Sequence, residues 1–354
     1  MWKRPRSEPE DEDLQSGERH RRRGRLHLIV PDKELGYTVY KLDVDGFRPD
    51  KGGNHLKSKA HRLRAHHAAI RLASPDGSPC DDVACTGSKI FAFYRGGTMV
   101  YDSEMSTVVK CPRLLAPKND FLTVGHDIYA LHTRETTDKG RMAMKKLGPA
   151  PRRAHGEWLW ENLPPPPMKW PGGYVKSYAY ALHPSGSFLF LSLSNRGTFY
   201  CHTGFFFWIR LGDWFLPFIG KAYFVQELDA FVGLCSRNRG YISMCKVIPP
   251  DSRRCTGPPA CTTTTERVYD HIRTGHLSAK LTYMGNAEFC LLETMKREGY
   301  DGNNPVLLRL ATFHLERRRN GELGVVNMRT KVYKMPYCGV LYCPATALWI
   351  SPDN

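Results

Sequence analysis

Residues 176–218, KSYAYALHPSGSFLFLSLSNRGTFYCHTGFFFWIRLGDWFLPF, contain short apolar runs separated by turn sequences. YAYAL and SFLFLSLS have the length and the aromatic content of β-strands, and HPSG between them holds residues that favour a tight turn. NRG leads to a third run, TFYCH, and a fourth run contains WIRLG. The stretch therefore predicts a four-stranded antiparallel meander.

The same pattern of strands and turns recurs along the chain. It occupies residues 89–114, 121–167, 221–250 and 281–336. Prolines close these units at an average spacing of about 45 residues, which is within the period of propeller blades. The strands at 25–30 and 37–43 are expected to complete the last blade or to open the first.

A single four-stranded sheet cannot bury both of its apolar faces. Sheets stacked around an axis cover each face with the next sheet and leave only short edges. We therefore predict an all-β fold, a β-propeller of about six degenerate blades. Trp160, Trp208 and Tyr333 are predicted to pack between neighbouring blades. A β-sandwich of two facing sheets is the alternative.

Composition restricts the class of protein. The 354 residues include 25 prolines and 31 glycines, consistent with many turns. The 11 cysteines form no C-x-x-C pair, so we expect small buried side chains rather than a disulfide framework. The chain has no signal peptide or long apolar run. We expect a soluble intracellular protein without a membrane segment.

The first 24 residues are predicted to be a disordered charged tail, and residues 25–354 a single domain with loop insertions near 48–82, 133–157 and 250–278. Two basic clusters flank an acidic spacer and resemble a bipartite nuclear localisation signal, which an import receptor binds as an extended peptide. The cluster residues are Lys3, Arg4, Arg6, Arg19, Arg21, Arg22, Arg23 and Arg25. The nucleus is therefore favoured over the cytoplasm.

The formal net charge of +16 raises the question of nucleic-acid binding. Residues 48–71 are the most basic stretch, and Lys57, Lys59, Arg62 and Arg64 are candidates for phosphate contacts. Aromatic residues that would stack on bases do not interleave with them. A solvated loop is the favoured interpretation, and nucleic-acid binding is the alternative.

The sequence resembles a plant protein family catalogued as domain of unknown function 1668. The resemblance covers about residues 25–336, and WIRLGDWFLPFIGKA (208–222) is its most specific element. It implies a kelch-like propeller and carries no catalytic residue. The family motif comprises Trp208, Gly212, Asp213, Trp214, Leu216 and Pro217.

One group of residues has the composition of a zinc site. Cys255, Cys261, His271 and His276 have the spacing C-x5-C-x9-H-x4-H. Thiolate and imidazole suit tetrahedral zinc, but this spacing departs from that of small zinc domains. We expect a loop between blades, with no metal and no cofactor.

The common nucleotide-binding and hydrolase motifs are not found in the sequence. We therefore expect a noncatalytic scaffold that binds an unknown protein partner through loops on one rim of the propeller. A propeller enzyme with an unidentified site in the central channel is the second alternative. The sequence does not indicate whether Ser74 or Ser78, each followed by proline, is phosphorylated.

Overall fold

A computed structural model describes most of the chain from Gly24 to Ile350. The described residues are 24–32, 36–50, 60–63, 68–74, 77, 80–94, 97–111, 119–125, 127–132, 143–149, 158–167, 177–249, 257–272, 275–296, 306–335 and 345–350. They form β-strands, turns and a single turn of 3-10 helix at Gln226–Leu228. Within these ranges, no helix has the length and apolar composition needed to cross a bilayer.

The strands in chain order are β1 (Arg25–Pro31), β2 (Tyr37–Leu42), β3 (Arg48–Pro49), β4 (His61–Arg62), β5 (Ala68–Leu72), β6 (Cys80–Thr86), β7 (Lys89–Tyr94), β8 (Gly97–Asp102), β9 (Thr107–Cys111), β10 (Asn119–Val124), β11 (Asp127–His132), β12 (Ala143–Pro149), β13 (Trp158–Leu163), β14 (Tyr178–Leu182), β15 (Phe188–Leu193), β16 (Gly197–His202), β17 (Trp208–Gly212), β18 (Phe218–Val225), β19 (Ala230–Cys235), β20 (Ile242–Lys246), β21 (Cys261–Thr263), β22 (His276–Gly285), β23 (Glu288–Met295), β24 (Leu307–Arg317), β25 (Leu323–Lys334) and β26 (Thr346–Ile350).

These strands form six successive four-stranded units, which we call blades 1 to 6. Blade 1 has the order β26-β1-β2-β5, and blades 2 and 3 are β6 to β9 and β10 to β13. Blades 4 (β14 to β17) and 5 (β18 to β21) share one eight-stranded sheet, because β14 and β18 pair in parallel. Blade 6 is β22 to β25, and β3 and β4 pair with β25 at its outer edge.

Each blade packs face to face on the next one. Six clusters of buried apolar side chains, counted among the described residues, fill the interfaces between consecutive blades and between blades 6 and 1. Representative pairs are Tyr37 and Ile90, Phe93 and Phe121, Leu131 and Leu191, Phe190 and Phe231, Val232 and Phe289, and Leu308 and Leu28. This cyclic order confirms the predicted β-propeller and excludes the sandwich.

The two ends of the domain meet in blade 1. Strand β26 pairs with β1 in antiparallel register, with Leu28 opposite Ala347. Both residues belong to the cluster that joins blades 6 and 1. The expectation that strands 25–30 and 37–43 complete a terminal blade is confirmed.

The first strand of each blade lies nearest to the axis. Contacts link β6 with β10, β18 with β22, and β22 with β26, and β14 pairs with β18. We call β26, β6, β10, β14, β18 and β22 the inner strands, and the space that they surround the central channel. Particular side chains on these strands contact one another, such as Lys221 of β18 and Thr123 of β10.

Aromatic residues occupy the predicted positions between blades. Trp160 packs against the cluster between blades 2 and 3, Trp208 against that between blades 3 and 4, and Tyr333 lies in that between blades 6 and 1. Phe93 and Phe121 stack with their ring centroids 3.8 Å apart. The prediction for all three residues is confirmed.

The segments predicted as loop insertions contain strands as well as connections. Cys80–Thr86 is the inner strand of blade 2. The unit predicted at 89–114 therefore begins with the second strand of that blade, KIFAFY (Lys89–Tyr94), and not with its first. Likewise, β12 lies within 133–157 and β21 within 250–278. These strands mix apolar and polar residues without a clear alternation, so their pairing depends on neighbouring strands more than on their own pattern.

Closure of the ring by β26 is testable. We expect a chain that ends after Ala345 to lose at least about 4 kcal/mol of stability, because an inner strand is removed and the Leu26 and Leu28 side chains lose their cover. Thermal unfolding followed by circular dichroism checks this. The control chain ends after Ile350 and keeps β26; equal melting temperatures for the two chains would contradict the role of β26.

Candidate functional site

The family motif joins blade 4 to blade 5. Trp208 begins β17 and donates through Nε1 to the carbonyl oxygen of Pro164 in blade 3, at 2.8 Å. At Gly212 a Cβ atom would lie 2.6 Å from Nε1 of Trp214, so only glycine leaves room for that ring. Asp213 forms an exposed ion pair with Arg210. Leu216 and Pro217 are buried just before β18.

Two buried hydroxyl groups fix the course of this motif. Ser192 and Thr198 share a hydrogen bond of 2.7 Å across β15 and β16. The Thr198 hydroxyl donates to the carbonyl oxygen of Trp214 at 2.6 Å, and the Leu216 amide donates to Ser192 Oγ at 3.1 Å. The motif residues therefore hold the connection that leads into β18.

The structure gives the zinc candidates separate neighbours. Cys255 lies outside the described residues, and Cys261 is exposed on β21. The His276 ring approaches Glu293 Oε1 at 3.1 Å and stacks on Tyr269. Among described residues, no three His, Cys, Asp or Glu side chains are grouped closely enough to hold a metal ion.

The basic segments are only partly described. Lys3 to Arg23 of the predicted import signal, and Lys57, Lys59 and Arg64 of the basic stretch, lie outside the described residues. Arg25 is the first residue of β1 and pairs with Ile350. It lines a groove of about 880 Å³ between blades 1 and 6, together with Lys41, Asp43, Glu288 and Trp349.

Tertiary pairing gives the basic stretch aromatic neighbours that its own sequence lacks. Arg48 and Arg62 lie on β3 and β4, which pair with β25 opposite Thr330 and Lys334. On β25, the Lys331 ammonium lies 5.9 Å from the ring centroid of Phe47 and 5.5 Å from that of Tyr333. The contact between Lys331 and Phe47 joins positions far apart in the sequence, so a linear pattern does not predict it.

The central channel contains a lysine that sequence reasoning did not select. Strand β18 has a bulge at residues 220–222, where three residues lie opposite Gly233 of β19. The same residues pair in parallel with residues 179–181 of β14. Gly220 has φ +69°, a conformation that glycine adopts without strain. Bulges of this kind re-aim side chains. Lys221 donates to Thr123 Oγ1 of β10 at 2.9 Å.

Burial changes the charge properties of the channel. Desolvation lowers the pKa of Lys221 from 10.5 to about 8, and the Cys85 thiol on β6 opposes this in part. Desolvation also raises the pKa of Cys85 to about 12, although Lys280 and Lys221 favour its thiolate. Tyr180 is buried and Tyr223 is partly buried nearby, and desolvation raises the pKa of both hydroxyls.

A second lysine points into the same channel. Lys280 of β22 donates to Thr346 Oγ1 of β26 at 2.6 Å. The positive charges of Lys280 and Lys221 both act to lower the pKa of the Cys85 thiol on β6. Side chains from blades 1, 2, 3, 5 and 6 therefore meet in one lumen. Lys221 lies within the most specific element of the family resemblance, residues 208–222. Its place in that element was the one feature of the sequence that could have selected it.

A second candidate site lies on the outside, at the turn between β16 and β17. Residues 203–207 form this turn, which we call the aromatic hairpin. Phe205 is 78% exposed and Phe207 is 46% exposed. The His202 ring lies between them, with centroids 4.7 Å from Phe205 and 5.5 Å from Phe207.

The aromatic hairpin is held in one conformation. Nδ1 of His202 accepts hydrogen bonds from the amides of Gly204 and Phe205 at 3.1 and 3.2 Å. The Phe206 amide donates to the His202 carbonyl oxygen at 2.8 Å. The Phe206 ring packs against the cluster between blades 3 and 4, with Lys146 5.7 Å from its centroid.

Six radially packed blades, with polar side chains inside the ring and an aromatic turn outside it, define a β-propeller protein. The chain belongs to the family described as protein of unknown function (DUF1668), whose profile matches residues 23–333. No curated protein matches the chain.

Several solved structures are similar to this chain at a low level. One is a protein of unknown function from Bacteroides thetaiotaomicron (11% identity, 85% of this chain, 78% of that one, TM-score 0.39). Another is the β-propeller domain of Cps50 (Swd1) from Myceliophteria thermophila (10%, 86%, 82%, TM-score 0.40). A third is in a nidogen–laminin complex (9%, 88%, 99%, TM-score 0.43).

The lowered pKa of Lys221 leads to a prediction about stability. Below pH 8 the lysine is charged in both the folded and the unfolded chain, so the folded state bears the full desolvation penalty. Between about pH 8 and pH 10.5 only the unfolded chain keeps the proton, and the penalty fades as pH rises. Lys221→Met removes this penalty.

We therefore expect Lys221→Met to raise the melting temperature at pH 7 by about 2–4 °C in a buffer without multivalent anions, and less at pH 10. Thermal unfolding at the two pH values measures this. Lys246→Met, which removes an exposed lysine from the same blade, serves as the control. A Lys221→Met variant that is less stable than the parent at pH 7 would contradict the prediction.

Proposed function

We propose that this protein is a noncatalytic scaffold that binds a partner protein through the aromatic hairpin on the rim of its propeller. The observation that carries the proposal is the exposure of Phe205 and Phe207 side by side on one turn. Exposed aromatic side chains that lie together are typical of protein interaction sites, where they supply much of the binding energy.

The rigidity of the hairpin supports this proposal. A partner that binds a preformed surface does not have to order it, so less of the interaction energy is lost on binding. The hydrogen bonds to His202 and the packing of Phe206 hold Phe205 and Phe207 in place before any partner arrives.

An unfavourable backbone conformation gives further support. Phe206 has φ 53°, in the left-handed region where this type of hairpin usually has glycine or asparagine. A bulky residue there costs on the order of 1 kcal/mol or more. The packing of Phe206 against blade 3 offsets this cost. The same packing holds the two exposed rings in a fixed position.

The neighbouring surface extends the apolar contact area. Leu159 of β13 is 38% exposed, and Pro164 and Pro165 are exposed directly after that strand. Trp208 connects this segment to the hairpin through its hydrogen bond with Pro164. A partner with an apolar pocket or groove matches this surface best.

The proposal is tested with the double variant Phe205→Ser, Phe207→Ser. Both side chains are exposed, so we expect the melting temperature to stay within about 2 °C of the parent. Affinity purification with quantitative mass spectrometry should show at least a tenfold loss, roughly 1.4 kcal/mol, of specific partners.

Met105→Ser is the matched control for this experiment, because Met105 is an exposed apolar residue (72%) on another blade. It should retain the partners of the parent protein. If the double variant retains them as well, the aromatic hairpin is not the binding surface.

We also propose that the scaffold acts in the nucleus. The support is the pair of basic clusters, Lys3 to Arg6 and Arg19 to Arg25, on either side of an acidic spacer. An import receptor binds such clusters in an extended conformation at two acidic sites. Arg25 belongs to β1, so the arginines before it are those that an extended peptide can offer.

Replacing Arg21, Arg22 and Arg23 with alanine should shift a fluorescently tagged protein from the nucleus to the cytoplasm. The three positive charges make most of the contacts of the second cluster, and alanine removes them. Fluorescence microscopy of the tagged protein measures the ratio of nuclear to cytoplasmic signal. Replacing Arg237 and Arg239 of blade 5 with alanine is the control; an unchanged nuclear fraction in the triple variant would reject the signal.

A further inference from the structure

The inner strands bring together polar groups that are far apart in the sequence. Thr123 on β10 and Lys221 on β18 are hydrogen-bonded across the channel, although β14 lies between their strands in the ring. Lys280 on β22 is bonded to Thr346 on β26. Two ammonium groups, each with a threonine hydroxyl, therefore face the lumen.

Lys221 has no compensating carboxylate among the described residues. None of the ion pairs between described side chains includes Lys221 or Lys280. The Coulombic partner of Lys221 is the Cys85 thiol, which is protonated at neutral pH because burial raises its pKa. The ammonium group of Lys221 is thus desolvated without a fixed counter-charge.

The remaining groups around the two lysines do not neutralise them. The Asp82 carboxylate on β6 raises the pKa of Cys85 and of Tyr180. Its Oδ1 accepts the Val83 amide at 2.8 Å, and none of the ion pairs between described side chains joins it to either lysine. Tyr223 donates its hydroxyl to the Leu281 carbonyl oxygen at 2.9 Å. A partly buried cation without a counter-charge is costly, so a bound anion would stabilise this arrangement.

We propose that the central channel is a binding site for a small oxyanion of the phosphate class, held between Lys221 and Lys280. Each ammonium group has three hydrogens and uses one of them on its threonine, so hydrogens remain for ligand oxygens. Thr346 accepts from Lys280 and keeps its own hydroxyl hydrogen to donate to a ligand. The Thr123 hydroxyl, in contrast, also bonds the Tyr180 oxygen.

The size of the ligand follows from the width of the channel. A lysine side chain reaches roughly 6 Å beyond its Cα atom, and Lys221 reaches Thr123 on an inner strand two blades away. The lumen at this level is therefore too narrow for a peptide or a nucleic-acid strand. Inorganic phosphate, or the phosphate group of a small metabolite, fits the space and the charge.

The test uses the full-length protein with inorganic phosphate as the probe. Phosphate should raise the melting temperature relative to chloride at equal ionic strength, because a ligand that binds the folded state stabilises it. Isothermal titration calorimetry should show one site. Lys221→Met and Lys280→Met should each weaken phosphate binding by at least about tenfold.

The matched control is Lys246→Met, which also removes one positive charge from blade 5 and lies on an exposed strand position. It should bind phosphate like the parent protein. If all three variants weaken phosphate binding equally, the binding depends on net charge alone, and the proposal is overturned. So would unchanged binding in either Lys221→Met or Lys280→Met.

A second measurement reports on the lysine directly. In ¹⁵N-lysine NMR, the side-chain resonance of Lys221, assigned by its loss in Lys221→Met, should titrate near pH 8 without phosphate and at higher pH with it. An apparent pKa unaffected by phosphate overturns the proposal. Citrate and glycerol phosphate, used as further probes, distinguish a general oxyanion site from a phosphate-ester site. If citrate raises the apparent pKa of Lys221 more than inorganic phosphate and glycerol phosphate do, the assignment to the phosphate class is overturned.

Discussion

The structure depends on one constraint: each four-stranded sheet has two apolar faces and no other element to cover them. The described residues contain no α-helix, so the faces are covered by neighbouring blades. A cyclic order is the arrangement in which each blade has two neighbours. The pairing of β26 with β1 places the last strand inside the first blade. Stability therefore depends on residues at both ends of the domain.

The cyclic arrangement also creates an interior that the apolar faces do not fill. Blades pack through aromatic residues such as Phe93, Phe121 and Phe231, while the inner strands turn Lys221 and Lys280 towards the axis. A bulge at residues 220–222 lets β18 pair with β14 and carries Lys221 inward. A desolvated lysine destabilises the fold, which is typical of positions retained for binding.

Several features could be predicted from the sequence because they depend on local pattern. The runs at KIFAFY and SFLFLSLS and the turns at HPSG and NRG identified strands, and their recurrence identified the propeller. Strands of mixed composition, such as Cys80–Thr86 and Ala143–Pro149, were not recognised, because their apolar residues do not alternate clearly. The exposed aromatic hairpin lay inside an apolar run, FFFW, whose outward side chains a pattern does not distinguish from core.

The sequence by itself determined the all-β class, the repeat of about forty to fifty residues and the family, since strand propensity, turn residues and motif order are properties of neighbouring positions. Tertiary structure alone decided which residues meet: Lys221 with Thr123, Lys280 with Thr346, and Arg62 with Lys334. Those contacts join positions that are tens to hundreds of residues apart, and their geometry follows from ring closure and strand register, which no local pattern encodes.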